Sequence, residues 1–138
     1  MIGAIIEARM SSSRLPGKVL LKAEGQSMLE ILVSRLKCVS AIDAIIIATT
    51  VSSTDDAIEL EAARLGVICF RGSENDVMAR VLNAARSNAV NTIVEITGDC
   101  PLIDPTITSL IINSYLANDY DYASNCAIRS FPDGMDVQ

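Results

Sequence analysis

Ile2-Gly3-Ala4-Ile5-Ile6, followed at once by Glu7-Ala8-Arg9-Met10-Ser11-Ser12-Ser13-Arg14-Leu15-Pro16-Gly17-Lys18, is the stretch that decides how this chain is read. Five small or branched apolar residues in a row describe a strand buried on both faces, as in parallel sheets. The loop after that strand is basic. From Ala8 to Ala23 the chain carries Arg9, Arg14, Lys18 and Lys22 and no acidic residue, although the whole protein has a net charge of −6. A cationic, hydroxyl-rich loop at a strand end is a seat for a polyphosphate or a solvated surface loop with incidental charge, and composition leaves both open. Arginine forks grip phosphate oxygens in pairs, and lysine adds a compact charge. The loop is neither a G-x-G-x-x-G turn nor a Walker A loop, because Ser12 stands where the first Walker glycine belongs and Val19 follows Gly17-Lys18.

Outward from this stretch, strand and helix alternate. Ser27-x-x-Glu30 is a capping box opening a helix with Leu29, Leu32, Val33 and Leu36 on one face. Ala44 to Thr50 forms the next buried strand. Asp55 to Leu65 has helical spacing and Gly66 as its stop, then Val67 to Phe70 forms a short strand. Ser73 caps a helix to about Ser87, Thr92 to Thr97 is a strand, and Asp104-Pro105 starts a further helix. A weaker strand is expected at Tyr120 to Ser124. The fold class is therefore α/β, a three-layer α/β/α domain with a mainly parallel sheet, in which ligands bind at the carboxyl ends of the strands. No linker divides residues 1–138, so they are expected to form one domain.

Composition excludes much. Histidine is absent, which removes Ser-His and Cys-His nucleophile pairs and leaves positioning, electrostatics and metal to carry chemistry. The acidic balance argues against nucleic acid as a partner. Apolar runs are too short to span a membrane, and Met1 leads into the first strand without a basic segment, so a cytoplasmic protein is expected. Cys38, Cys69, Cys100 and Cys126 are spaced for neither zinc nor a disulfide framework.

The loops after the later strands carry the remaining candidates. Asp99, in Gly98-Asp99-Cys100-Pro101-Leu102-Ile103-Asp104, is either a turn residue or a Mg²⁺ ligand that leaves the other positions of the metal to phosphates and water; spacing does not separate the two. Asp104 is read as a helix cap. Thr49 and Thr50 suit ribose or base contacts, or turn formation. Arg71-Gly72-Ser73-Glu74-Asn75 can reach a base, or serve only to start a helix. Glu7 is read as structural.

Together these loops resemble the sugar-activating cytidylyltransferases, the CMP-sugar synthetases of acylneuraminate and related 2-keto sugar acids. Ala8-Arg9-x-x-x-Ser13-Arg14-Leu15-Pro16-Gly17-Lys18 resembles their nucleotide-binding signature. Ile47-Ala48-Thr49-Thr50, Phe70 to Val77, Thr97 to Pro105 and Phe131 to Val137 follow in family order, nearest to the SpsF-like branch of spore-coat polysaccharide biosynthesis. The resemblance implies a Rossmann-like nucleotide-diphospho-sugar transferase fold and transfer of CMP from CTP to a sugar acid with release of pyrophosphate. It implies that Arg9, Lys18 and Asp99 are catalytic and that Ala8, Arg9, Ser13, Arg14, Lys18, Thr49, Arg71 and Gly98 bind the nucleotide. It further implies Asn125 on the sugar side, Asp99 as ligand of a Mg²⁺ cofactor, and a homodimer in full-length members. Ser12 departs from the family's usual glycine or alanine. Members commonly continue well beyond position 138, so the domain is expected to be incomplete at its C-terminus. Two rivals remain: a glycosyltransferase of the same fold, for which Asp119-Tyr120-Asp121 is a D-x-D string, and a non-catalytic nucleotide-binding or assembly module.

Overall fold

The computed structural model describes residues 1–128 and 130–138. Its centre is a four-stranded parallel sheet of β1 (Ile2–Glu7), β4 (Ala44–Thr50), β5 (Ile68–Gly72) and β6 (Thr92–Thr97), in the order β5-β4-β1-β6. β2 (Lys22–Ala23) and β3 (Gln26–Ser27) form a small separate hairpin. The helices are α1 (Met28–Leu36), α2 (Asp56–Leu65), α3 (Val77–Ser87) and α4 (Pro105–Leu116).

The continuous apolar runs are explained by burial on both sides. Ala4, Ile6, Ile47, Val94 and Ile96 pack with Leu29, Leu32, Leu36, Ile58, Ala62 and Ile112, that is, with α1, α2 and α4. Ile5, Ile46 and Ala48 point the other way, onto Val81, Ala84 and Ala85 of α3. Alternate residues of one strand thus enter two different cores, which a helix period could not do. The three layers expected from the sequence are present.

The strand order reverses once. From β1 the chain moves to β4 and β5 with α1 and α2 on one face; it then crosses by α3 on the opposite face to β6, on the other side of β1. Right-handed crossovers produce this arrangement. The reversal leaves a crevice between the carboxyl ends of β1 and β6, the loops after Glu7 and after Thr97.

Local expectations fare unevenly. The capping box forms, with Ser27 Oγ accepting the Glu30 amide at 3.0 Å. Asp104 caps α4, accepting the Thr106 amide at 2.6 Å. α3, however, begins at Val77, not at Ser73. Asp76 Oδ1 caps it by accepting the Ala79 amide at 2.8 Å, while Ser73 Oγ only turns the chain by accepting the Asp76 amide at 3.0 Å. β5 runs on through Arg71 and Gly72, so Arg71 lies on a strand rather than in a loop. Tyr120 to Ser124 is not a strand. Its tyrosines are exposed, leaving no apolar face to bury, and the Glu95 amide of edge strand β6 donates instead to the Gln138 carbonyl at 2.6 Å.

Candidate active site

The crevice between β1 and β6 is pinched shut at its base. The Gly98 amide donates to the Glu7 carbonyl at 2.8 Å, and a Cβ on residue 98 would lie 2.5 Å from that same oxygen. Only glycine allows the two strand ends to approach so closely. Above this contact the loops diverge, one toward Arg9 and the other toward Asp99.

The basic loop is closed on itself at Met10. The Met10 carbonyl accepts both the Ser12 and Gly17 amides, each at 2.9 Å. Gly17 adopts φ 70°, a left-handed turn that glycine takes without strain, and delivers the chain into a short 3₁₀ turn at Lys18–Leu20. Val19 of that turn is buried in the core, so the backbone of Lys18 is fixed from below. The Met10 amide donates to Asp55 Oδ1 at 2.8 Å, tying the loop to the end of β4. Ser11 Oγ donates to Glu74 beyond β5. Loops following all four strands of the sheet therefore meet at one end.

Of the predicted residues, the structure brings Lys18 and Asp99 together. Their ammonium and carboxylate form an ion pair across the crevice. The Lys18 contact, with a smaller contribution from Arg14, holds the Asp99 carboxyl below its usual pKa despite partial burial. Arg9, Ser13 and Arg14 stand exposed on the same loop. Neither arginine has an ion-pair partner among the described residues. Ala8 is buried where the loop departs, its amide on the Ala48 carbonyl at 3.3 Å. Cys100, beside Asp99, is kept a neutral thiol by burial, and it hydrogen-bonds Thr97 at 3.0 Å. Asp99 is one hard oxygen ligand on an accessible loop, and no group of three carboxylates or thiols gathers around it among the described residues. Such a donor set fits a cation that takes most of its ligands from a bound polyphosphate.

Three other predicted residues are engaged elsewhere. Thr49 is fully buried and its hydroxyl donates to Asp55. The Arg71 guanidinium donates to the Thr50 and Ser52 carbonyls and pairs with Asp56 and Glu59, so it braces the β4–α2 turn. The Asn125 amide is used at both ends, donating to the Met135 carbonyl at 2.7 Å and accepting the Val137 amide at 2.9 Å.

Sequence reasoning missed Asp55 and Arg80. Asp55 looked like the first residue of a helix; it is a buried acceptor for four donors. Its only signal was that two aspartates stand side by side where the helix begins, Asp55 and Asp56. Arg80, midway along α3, is 2% exposed and reaches the Ser73 carbonyl at 2.7 Å and Glu7 at 3.8 Å. A groove of about 640 Å³ lies elsewhere, along the outer edge of β6, lined by Val77, Val81, Ile93, Ile111, Tyr115 and Tyr122 among others. None of the basic-loop residues lines it.

Comparison with known proteins bears on the family and the fold. Residues 3–132 match a protein-family model described as cytidylyltransferase. The chain is 35% identical over 130 residues to the spore coat polysaccharide biosynthesis protein SpsF of Bacillus subtilis, covering 90% of this chain and 54% of that protein. It is 33% identical over 118 residues to a 3-deoxy-manno-octulosonate cytidylyltransferase of Pelobacter propionicus, covering 83% of this chain and 44% of the relative. Among solved structures, a cytidylyltransferase from Leptospira borgpetersenii superimposes with a TM-score of 0.93 at 40% identity, over 99% of this chain and 58% of that one. The chain thus spans about half the length of the curated relatives it matches.

Proposed function

Because the chain belongs to the cytidylyltransferase family, we propose that it is the nucleotide-binding part of an enzyme that transfers CMP from CTP to a sugar acid. One observation carries this reading: a closed basic loop, its two arginines without ion-pair partners among the described residues, faces Asp99 across the topological switch point, with Lys18 bridging the gap. A strongly anionic ligand is what such an array binds.

In this reading Arg9, Arg14 and Lys18 hold the triphosphate. The hydroxyl oxygen of the sugar acid attacks the α-phosphorus, the bond to the β-phosphate breaks, and pyrophosphate leaves with the electron pair. The hydroxyl proton passes to water. Charge gathers on the leaving pyrophosphate, where fixed cations stabilise it most. Asp99 would hold Mg²⁺ through one carboxylate oxygen; when bound, the ion neutralises phosphate charge. Ser13 and the Gly98 backbone line the phosphate path. Thr49 and Arg71 act through the backbone that they brace, keeping the β4 end in shape for ribose and base. The Asn125 turn shapes the sugar side.

The test is calorimetric titration with CTP, UTP, GTP and ATP, with and without Mg²⁺, followed by pyrophosphate release with a panel of 2-keto sugar acids. Binding of CTP in preference to the purine nucleotides is expected. Arg14→Ala and Lys18→Ala should each weaken it roughly tenfold to a hundredfold, since charge-assisted hydrogen bonds are lost. Equal CTP affinity in both variants would refute the seat. CTP binding without pyrophosphate release would favour a non-catalytic binding module.

A further inference from the structure

We propose that Asp55 is a positioning residue that holds the neck of the basic loop in its phosphate-binding shape, an inference that rests on the triphosphate seat proposed above. Asp55 is 1% exposed and sits between β4 and α2, yet its carboxylate joins two separate pieces of backbone. Oδ1 accepts the Met10 amide at 2.8 Å, from 45 residues away. Oδ2 accepts the Thr50 amide at 3.1 Å and the hydroxyls of Thr49 and Thr50 at 2.9 and 2.5 Å.

Met10 is the point at which the loop closes, because its carbonyl takes the Ser12 and Gly17 amides. A side chain that fixes the Met10 amide therefore fixes both sides of the neck. Arg9 precedes that neck and Arg14 lies within the loop that it closes. Without the anchor, the Met10 amide loses its tie to the β4 end, and the neck is left to the packing of the Met10 side chain and Val19 against the core, which does not fix the direction of the backbone amide. Burial alone would push the Asp55 carboxyl up, but the Thr50 hydroxyl, the Met10 amide and the Thr49 hydroxyl outweigh it and hold the pKa down. The group is therefore a fixed anion, able to accept at both oxygens.

The donor pattern makes the near-isosteric amide a sharp probe. In Asp55→Asn one oxygen becomes an NH₂ group, which must face either the Met10 or the Thr50 backbone amide. Neither can reverse its role, since a backbone N–H only donates. Three donors converge on Oδ2, and the Thr50 hydroxyl among them already accepts the Ser52 amide, so the remaining oxygen keeps the Thr49–Thr50 side and the NH₂ group faces Met10, whose anchor is the one lost. Thr50→Val is the control: it removes a hydroxyl from the same carboxylate and keeps both backbone amides in place.

The experiment measures tripolyphosphate affinity by calorimetry and the hydrogen-exchange protection of the Met10 and Gly17 amides by NMR, on the full chain. Asp55→Asn is expected to lose protection at both amides and to bind tripolyphosphate about tenfold more weakly, the scale of one lost hydrogen bond to a charged group. Thr50→Val, though less stable, is expected to keep Met10 protected and to bind within about twofold of wild type. Should the asparagine variant not fold, Asp55→Glu, with the same charge displaced by one methylene, is read in the same way. The proposal falls if Met10 stays protected in Asp55→Asn. It also falls if protection is lost with affinity unchanged, or if Thr50→Val weakens binding equally while Met10 remains protected. If the wild type itself does not bind tripolyphosphate, the seat is refuted, and with it this role. Wild-type binding that ignores Asp55→Asn refutes only the anchor.

Discussion

Replacing Glu7 by glutamine should flatten the pH dependence of stability across the neutral range. Glu7 ends β1, and the register pairs Glu7 with Thr97 and Ile5 with Glu95, which puts the Glu7 and Glu95 side chains on the same face of neighbouring strands. Burial pushes the Glu7 carboxyl up, a shared hydrogen bond and like charge from Glu95 push further, and Arg80 and Arg9 pull back less strongly; the result is a pKa of about 7 against an ordinary 4.5. Folded, the group keeps its proton over a window in which the unfolded chain has lost it. Stability from this source is therefore complete below pH 4.5 and is lost as pH rises through about 7. The full shift corresponds to roughly 3 kcal/mol at 1.36 kcal/mol per unit. The pull of the Arg80 guanidinium, 3.8 Å from the carboxylate, is already contained in that value, but the Glu7 side chain remains partly open to solvent, which screens the penalty. About 1–2 kcal/mol should remain as the advantage of Glu7→Gln at pH 8. In a chain of this size that is a rise in Tm of roughly 3–10 °C. Urea unfolding at pH 4, 5, 6, 7 and 8 reads it directly, with variant and wild type closest at pH 4, separating as pH rises to about 7 and running parallel above it. Parallel stability curves across all of these pH values would show that the pair holds no proton of its own.

Two further outcomes can be checked on the folded chain. Gly98→Ala places a Cβ 2.5 Å from the Glu7 carbonyl oxygen, a backbone atom that cannot swing away, so a loss of about 1–3 kcal/mol with weakened CTP binding is expected in urea unfolding and calorimetry; wild-type values in both would remove the close contact from the account of the crevice. Glu61 is held at a pKa of about 2, first by hydrogen bonds from Arg64 and also by the Ser27 hydroxyl, so its contribution is present above pH 4.5 and fades as pH falls toward 2. Arg64→Met should therefore move the acid-unfolding midpoint, followed by circular dichroism, to higher pH, and an unmoved midpoint would contradict the pairing.

Local patterns carried the architecture because their causes are local. Buried parallel strands need apolar residues at successive positions, and helix starts need an oxygen at the cap, so β1, β4, β6, α1 and α4 were legible. α3 was misplaced at its start because Ser73 and Asp76 are both good caps, and what tips the choice is β5 continuing through Gly72 before the chain turns. Tyr120 to Ser124 is no strand because its tyrosines stay exposed and the edge of β6 pairs with Gln138 instead.

The candidate site divides along the same line. Arg9, Arg14 and Lys18 were legible because an uncompensated run of cations is anomalous in an acidic chain, and the anomaly is visible without any fold. Their partner was not. That Lys18 meets Asp99, 81 residues away, depends on β6 lying beside β1, which is set by α3 crossing on the opposite face from α1 and α2. Thr49 and Arg71 have the chemistry of ligand-binding residues, yet burial gives the hydroxyl to Asp55 and strand β5 gives the guanidinium to the β4–α2 turn. Sequence by itself determined the layered α/β fold and the cationic character of the loop after β1, because hydrophobic period and charge are properties of neighbours along the chain. Tertiary structure alone decided which polar groups stay free to bind and which are consumed as scaffold, because a hydrogen bond is shared with whatever the fold brings within about 3 Å.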